Sequence, residues 1–406
     1  VQSVYEVVSR EARAVGVHQA LAPVLDVARD PRWGRVEETF GEDPYLVAEL
    51  GSAAVRGFQG ESPYSHIERV LCTLKHFAAH GQPESGNNCA PVSVSERHLR
   101  ETFLYPFERA VCDAEAQSVM ASYNEIDGVP SHASRWLLRH ILRDEWDFAG
   151  TVVSDYYAIR ELWDRPGLYG HHVAGSREEA AALAVKAGVN IELPEPDCYK
   201  LLPALVEQGM LQEKEIDALV KPLLLQKFRL GLFDQPYVDP ARAEHVLGCD
   251  AHRDVALQAA RQCITLLKNE KQTLPIQEGM RTIAVIGPNA DRTMLGGYSG
   301  KPKEFVTVLD GLRDALGGSV EILHAVGCHI TKGGSWFEDL VTPSDPDEDA
   351  RLIAEAVAVA QQADLVVLAV GGNEQTSREA WEKNHLGDRT DLNLVGRQDE
   401  LVEALS

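Results

Sequence analysis

The sequence predicts an α/β protein in two parts, an N-terminal (β/α) barrel of the TIM kind followed by an α/β sandwich. Short apolar runs at 70–76, 118–123, 150–155 and 188–193 alternate with longer helical patterns. That is how βα units on a parallel sheet read, because strands covered on both faces lose their polar alternation. The runs start roughly 30 to 50 residues apart, which suits βα repeats with loops of variable length. A second set of strand patterns at 282–286, 320–324 and 365–370, spaced by helical stretches, forms a sheet of its own.

In chain order, the sequence opens in a helical pattern, with Val4, Val7 and Val8 apolar and Glu6 and Glu11 polar. Ser93 with Glu96, and Ser176 with Glu179, have the S-x-x-E spacing of a capping box, in which side chain and backbone satisfy each other's free N–H groups at a helix start. The helical pattern of 213–230 stops at Gly231, Leu232, Phe233, Asp234, Gln235 and Pro236, and an irregular stretch continues to about Cys249. The expected division is a barrel at 1–235, a linker at 236–250 and a sandwich at 251–406. Beyond the linker come a helix (252–267), a strand (282–286) ending in Gly287-Pro288-Asn289-Ala290-Asp291, a helix (309–316), a strand (320–324), a helix (348–362) and a strand (365–370). This order predicts three layers. The chain starts at Val1 and stops at Ser406 within helical patterns, as expected of a piece cut at both ends, where a signal peptide would not be legible.

The chain carries 39 basic and 62 acidic side chains, a formal charge of −23. Such an excess repels phosphate backbones and anionic lipid surfaces, and no basic patch offsets it, so neither nucleic acid nor membrane is expected as a partner. Apolar runs such as 365–370 are strand-sized, short of the roughly 18 to 20 residues that span a bilayer. Seven scattered cysteines without a C-x-x-C pair indicate neither a disulfide framework nor a zinc ribbon, and read as unpaired thiols, many of them buried. His76 and His80 stand four apart as zinc ligands on a helix do, but they leave a strand, so no metal site is expected. Gly287-Pro288-Asn289 follows a strand without G-x-G-x-x-G or G-K-[ST], so it reads as a turn and no cofactor is expected.

In a parallel barrel the side chains available for chemistry stand where strands end. Lys75-His76, Ser122-Tyr123, Ser154-Asp155 and Glu192 fall at those places. Singly, each is a point where the chain meets water. In register, they supply donors for hydroxyl groups and one carboxylate for attack. Asp155 is delivered by Gly150-Thr151-Val152-Val153-Ser154 beside Tyr156 and Tyr157. Two chemistries use such a carboxylate. Phosphoryl transfer of the haloacid-dehalogenase kind expects a second Asp two positions on, where Tyr157 stands. Glycoside hydrolysis needs a second carboxyl group about 5 to 5.5 Å away for retention, or about 6.5 to 9.5 Å for inversion.

The string Asp26-Val27-Ala28-Arg29-Asp30-Pro31-Arg32-Trp33-Gly34-Arg35, followed by Glu38-Thr39-Phe40-Gly41-Glu42-Asp43-Pro44, resembles the signature of glycoside hydrolase family 3. Lys75-His76-Phe77, Met120-Ala121-Ser122-Tyr123-Asn124 and Val153-Ser154-Asp155 follow in that family's order, and the resemblance covers almost the whole chain. It implies a barrel whose first unit lies upstream of Val1, a sandwich that continues beyond Ser406, and retaining, exo-acting removal of β-linked sugars from a non-reducing end. A β-D-glucosyl residue is the first expectation and xylosyl the alternative; a non-catalytic carbohydrate-binding protein is the alternative of another class. The implied partner is a small oligosaccharide or an aryl or alkyl β-glycoside, and a homo-oligomer is compatible with the family.

Residue by residue, Asp155 is similar to the family nucleophile. Arg35, Lys75, His76 and Tyr123 resemble the subsite for the terminal sugar, with Tyr123 also placed to hold the nucleophile's carboxylate and Met120 as an apolar wall. Tyr156 stands where the family commonly has Trp, as in members resembling mixed glucosidases and xylosidases, which leaves the sugar open. Glu379, ahead of Asp388-Arg389-Thr390, resembles the general acid/base; Glu374 and Glu382 are its rivals, and Trp381 is a candidate sugar platform. The stretch 81–89 lacks the Asp-Ser-His element of members acting on N-acetylhexosaminides, which disfavours that chemistry; Glu84 within it reads as a solvated loop acid.

Overall fold

The computed structural model describes every residue except 65–67, 165–169, 297, 301, 303, 334, 337, 339 and 381–386. The chain divides into two compact units, one of Val1–Asp30 with Glu38–Thr265, the other of Pro31–Glu37 with Leu266–Ser406.

The first unit is built on a five-stranded parallel sheet, Gln19–Ala20, Leu71–Phe77, Ser118–Ala121, Thr151–Tyr156 and Ile191–Leu193. Sheet order follows chain order, so each connection is a crossover to the next neighbour, as in half of a barrel wall. Strand pleating decides what each face carries. Cys72, Leu74, Val119, Ala121 and Val152 join a core with Val47, Phe58, Phe107 and Leu138 from the covering helices. The opposite face has a polar floor. Thr73, Ser118 and Thr151 lie in register across three strands. Gln19 Nε2 donates to Thr73 Oγ1 and Ser118 Oγ, each at 2.9 Å, and Thr151 Oγ1 donates to Gln226 Oε1 at 3.1 Å. These buried hydroxyls are therefore paired with the amide side chains of Gln19 and Gln226. One layer further along the strands Met120 pairs with Val153, and Asp155 stands one layer beyond that.

Three local expectations differ from what forms. The helix expected to start at Ser93 starts at Glu96 with Ser95 as its cap, whose hydroxyl accepts from His98 N at 3.3 Å. Residues before it are tied into an extended bridge: Val92 N donates to Glu125 O at 2.9 Å, and Val94 N to Asp127 Oδ1 at 3.2 Å. Ser93 is thereby held out of the cap position and donates to the exposed Glu84 at 3.1 Å. At the other proposed box Ser176 does cap Arg177–Ala187, but Glu179 reaches back to Gly175 N at 2.7 Å, one residue before the cap. The stretch read as irregular contains a short helix, Pro240–Val246, started by Asp239, which accepts from Ala241 N at 3.0 Å, and by Pro240 at the first position.

The second unit has a parallel sheet in the order Leu365–Leu368, Thr282–Ile286, Glu321–Ala325. Its central strand is covered on both sides. Ile283 and Val285 pack with Leu309 of the helix Val308–Leu316, whereas Ala284 and Ile286 pack with Ala356 and Leu401 of Pro346–Ala360 and Gln398–Leu405. Three layers follow from that alternation, as expected. The chain leaves the central strand to one neighbour and returns to the other, so strand order reverses beside the ends of Thr282–Ile286 and Leu365–Leu368. Open α/β sheets bind ligands at such a point, and the loop that leaves Leu368 there carries Glu374 and Glu379. No described helix is long and apolar enough to cross a membrane.

Candidate active site

In the first unit the polar residues gather where the parallel strands end. Asp155 is 7% exposed at the penultimate position of Thr151–Tyr156. Its Oδ1 accepts from Tyr156 N at 2.8 Å, and its Oδ2 lies 3.7 Å from Nε2 of His76. His76 stands beside partly buried Lys75 near the end of Leu71–Phe77, which is separated from Thr151–Tyr156 by Ser118–Ala121 and whose register against that middle strand shifts between Leu74 and Phe77. The Nδ1 of His76 donates to Asp26 Oδ2 at 2.7 Å. Tyr123 is 8% exposed and its hydroxyl donates to the backbone carbonyl of Tyr156 at 3.0 Å. Met120 is buried in the layer below Asp155, and Tyr156, 45% exposed, is the open edge of this group. His80 packs on His76 with ring centroids 4.7 Å apart.

Glu192, the fourth strand-end residue, turns elsewhere. Its carboxylate accepts from Cys198 N at 2.9 Å and Tyr199 N at 2.6 Å, holding the turn that follows its strand, and burial raises its pKa against those bonds.

His132 had no signal in the sequence. It is 1% exposed, and its Nε2 accepts the backbone N–H of Asp155 at 3.1 Å, which requires the proton on Nδ1. Burial, with His171 adding in the same direction, lowers its pKa to about 3. An unfolded chain takes up this proton near an ordinary pKa of about 6.5. Above that pH the group contributes nothing. As pH falls from about 6.5 toward 3 the unfolded state binds more protons, so stability falls by about 1.4 kcal/mol per pH unit from this residue. Thermal unfolding between roughly pH 4 and 7 checks this: His132→Gln, whose carbonyl oxygen can replace the acceptor, should flatten the slope.

In the second unit the stretch Pro31–Glu37 lies against residues 378–380 and 387–389. Gly34 N donates to Asp388 Oδ1 at 2.8 Å, and Arg389 N to Arg32 O at 2.8 Å. A Cβ on Gly34 would lie 2.2 Å from the carbonyl oxygens of Arg378 and Gly387, so only glycine allows the approach. That approach brings Arg35, 2% exposed, to Glu379, with Nη1 to Oε1 at 3.1 Å. The other oxygen of Glu379 accepts from the Tyr298 hydroxyl at 2.7 Å. Tyr298 leans on Trp336 at 5.2 Å between ring centroids. Arg378 donates to the carbonyls of Trp336 and Glu338 and so ties that segment to the residue before Glu379. The rival Glu374 is paired with Arg292 at 3.1 Å. Glu382 and Trp381 lie outside the described residues.

Thus His76 and Asp155 meet in one unit, and Arg35 and Glu379 in the other. Asp26, His132 and Tyr298 were not singled out by sequence reasoning. For Asp26 a signal existed: it closes the short apolar run 22–25 as Asp155 closes its own.

The N-terminal domain of glycosyl hydrolase family 3 matches residues 1–225, and the family's C-terminal domain matches 264–406. Among curated proteins, a β-xylosidase of Formosa agariphila is 40% identical over 98% of this chain and 54% of its own length. A periplasmic β-glucosidase of Salmonella typhimurium is 37% identical over 100% of this chain and 53% of its own. A solved β-glucosidase from Erythrobacter marinus superposes with a TM-score of 0.95 at 41% identity, covering 100% of this chain and 54% of that one. The chain thus spans about half the length of the relatives it matches. With both domain signatures in order and the fold shared throughout, the chain belongs to glycosyl hydrolase family 3.

Proposed function

We propose that the protein is a retaining, exo-acting β-glycosidase that removes terminal non-reducing β-D-glucosyl residues, with Asp155 as nucleophile and Glu379 as general acid/base. The observation that carries this reading is the buried carboxylate of Asp155 at a strand end, with its Oδ2 toward an imidazole that is itself anchored. A carboxylate so held is ready to attack without first reorganising solvent.

Asp155 displaces the aglycone from the anomeric carbon, and the departing oxygen takes its proton from Glu379. Water, deprotonated by Glu379, then attacks the same carbon from the opposite side and restores Asp155, so two inversions give net retention. Arg35 and Lys75 donate hydrogen bonds to sugar hydroxyls, His76 and Tyr123 line the same subsite, and hydrogen bonds to the sugar supply part of the transition-state stabilisation. Met120 and Tyr156 supply apolar surface. A xylosyl preference is the second reading, supported by the β-xylosidase among the relatives; the ratio of kcat/KM for aryl β-glucoside and aryl β-xyloside decides it.

A dinitrophenyl 2-deoxy-2-fluoro-β-glucoside tests the central assignment, because fluorine slows both steps while the good leaving group keeps formation of the glycosyl-enzyme faster than its hydrolysis. Proteolysis and mass spectrometry should find one added sugar on the peptide carrying Asp155. A label on another residue, or none on a protein that turns over β-glycosides, overturns the assignment.

A further inference from the structure

Asp26 is a buried carboxyl group. The short segment before it runs parallel to the edge of Leu71–Phe77, with Val24 bridged to Lys75 and Leu25 N donating to Lys75 O at 2.6 Å. That register sets Asp26 beside His76. The Asp26 side chain is 0% exposed and that of His76 1%. Burying an ionised carboxylate costs several kcal/mol unless its oxygens are paired and hydrogen-bonded. Here Oδ2 alone receives two bonds from one residue, from His76 Nδ1 at 2.7 Å and from His76 N at 3.3 Å.

We propose that Asp26 is a positioning residue for the first displacement, acting through His76 on Asp155; this rests on Asp155 being the nucleophile. The grip on ring and backbone together fixes the His76 side chain and places a proton on Nδ1, which leaves Nε2 as the ring atom that faces Asp155 Oδ2 at 3.7 Å. A carboxylate behind an imidazole sets its tautomer and orientation for whatever the far nitrogen meets. At 3.7 Å that nitrogen borders the attacking carboxylate without the short contact of a hydrogen bond. The second carboxyl of the array, Asp26, touches neither sugar nor reacting atoms in this scheme. It keeps the imidazole from swinging onto Asp155 or away from it.

Asp26→Asn keeps the shape and removes the charge. The rate constant for labelling by the fluorinated glycoside should fall about 10- to 100-fold, while KM for an aryl β-glucoside changes by less than about 3-fold, since a positioning defect acts on the transition state and not on uniform binding. The label should still appear on Asp155. Nitrogen-15 NMR of the wild-type imidazoles should show His76 protonated at Nδ1, with that proton strongly shifted downfield by the carboxylate and moved in Asp26→Asn. Labelling of Asp26→Asn at the wild-type rate overturns the role of Asp26 and leaves Asp155 standing. Wild-type labelling away from Asp155 overturns the reading beneath it. If Asp26→Asn does not fold, the wild-type spectrum decides, and a His76 ring without a proton on Nδ1 ends the proposal.

Discussion

Asp155→Ala should lower kcat for an aryl β-glucoside by at least about 10⁴-fold while the protein stays folded. Removing a covalent nucleophile takes away the intermediate, and what survives is catalysis by binding and the remaining groups. The fold should tolerate the change because the side chain sits at a strand end, where its Oδ1 meets its own neighbour's N–H at 2.8 Å. Loss of this acceptor from the Tyr156 N–H is an effect of about 1 to 3 kcal/mol against the whole domain. Azide should partly restore turnover by entering the vacated space, and the product should then be the α-glycosyl azide, a single inversion. Circular dichroism establishes the fold, and proton NMR of the product the stereochemistry. Residual activity above about a tenth of wild type would remove Asp155 from the mechanism.

For Glu379→Ala the expected loss depends on the leaving group. A departing dinitrophenolate needs no proton, so formation of the glycosyl-enzyme should stay within about 10-fold of wild type; alkyl glycosides should lose about 10² to 10⁴, the usual worth of general acid–base catalysis. Azide should rescue the second step and give the β-glycosyl azide, with retention. The substitution also removes the charged partner that Arg35, 2% exposed, meets at 3.1 Å. Removing one partner of a buried ion pair costs about 3 to 5 kcal/mol, so thermal stability should drop as well. Glu379→Gln separates the effects: it can keep contacts to Arg35 and Tyr298 while abolishing proton transfer, so stability should recover and alkyl-glycoside activity should not. The same leaving-group pattern in Glu374→Ala, with Glu379→Ala unaffected, would transfer the role to Glu374.

Much of the framework is written locally. The run 282–286 forms the central strand Thr282–Ile286 as expected, because a continuous apolar run buried on both faces has little alternative to a parallel strand, and 365–370 forms its partly buried edge neighbour Leu365–Leu368. The helix expected at 309–316 forms as Val308–Leu316, started by Thr307 and Asp310 in a reciprocal capping box. Caps three residues apart and pleats of period two involve near neighbours, so one sequence suffices to see them. The strand-end placement of Lys75, His76, Tyr123 and Asp155 follows from the same local logic, and the ordered motifs pointed to the family.

Partnership was not legible. Asp26 meets His76 across 50 residues, His132 receives the Asp155 N–H across 23, and Arg35 reaches Glu379 across 344. Ser93 shows the converse: a correct local cap signal lost to a bridge between Val92 and Ile126. Local propensities are worth about a kilocalorie per mole each, and a backbone bond left unmade in the interior costs as much or more. Contacts between distant segments therefore overrule neighbours where they conflict. They also choose which of many acidic side chains lies buried against a histidine or an arginine, and a string of residues holds no record of that choice until it packs.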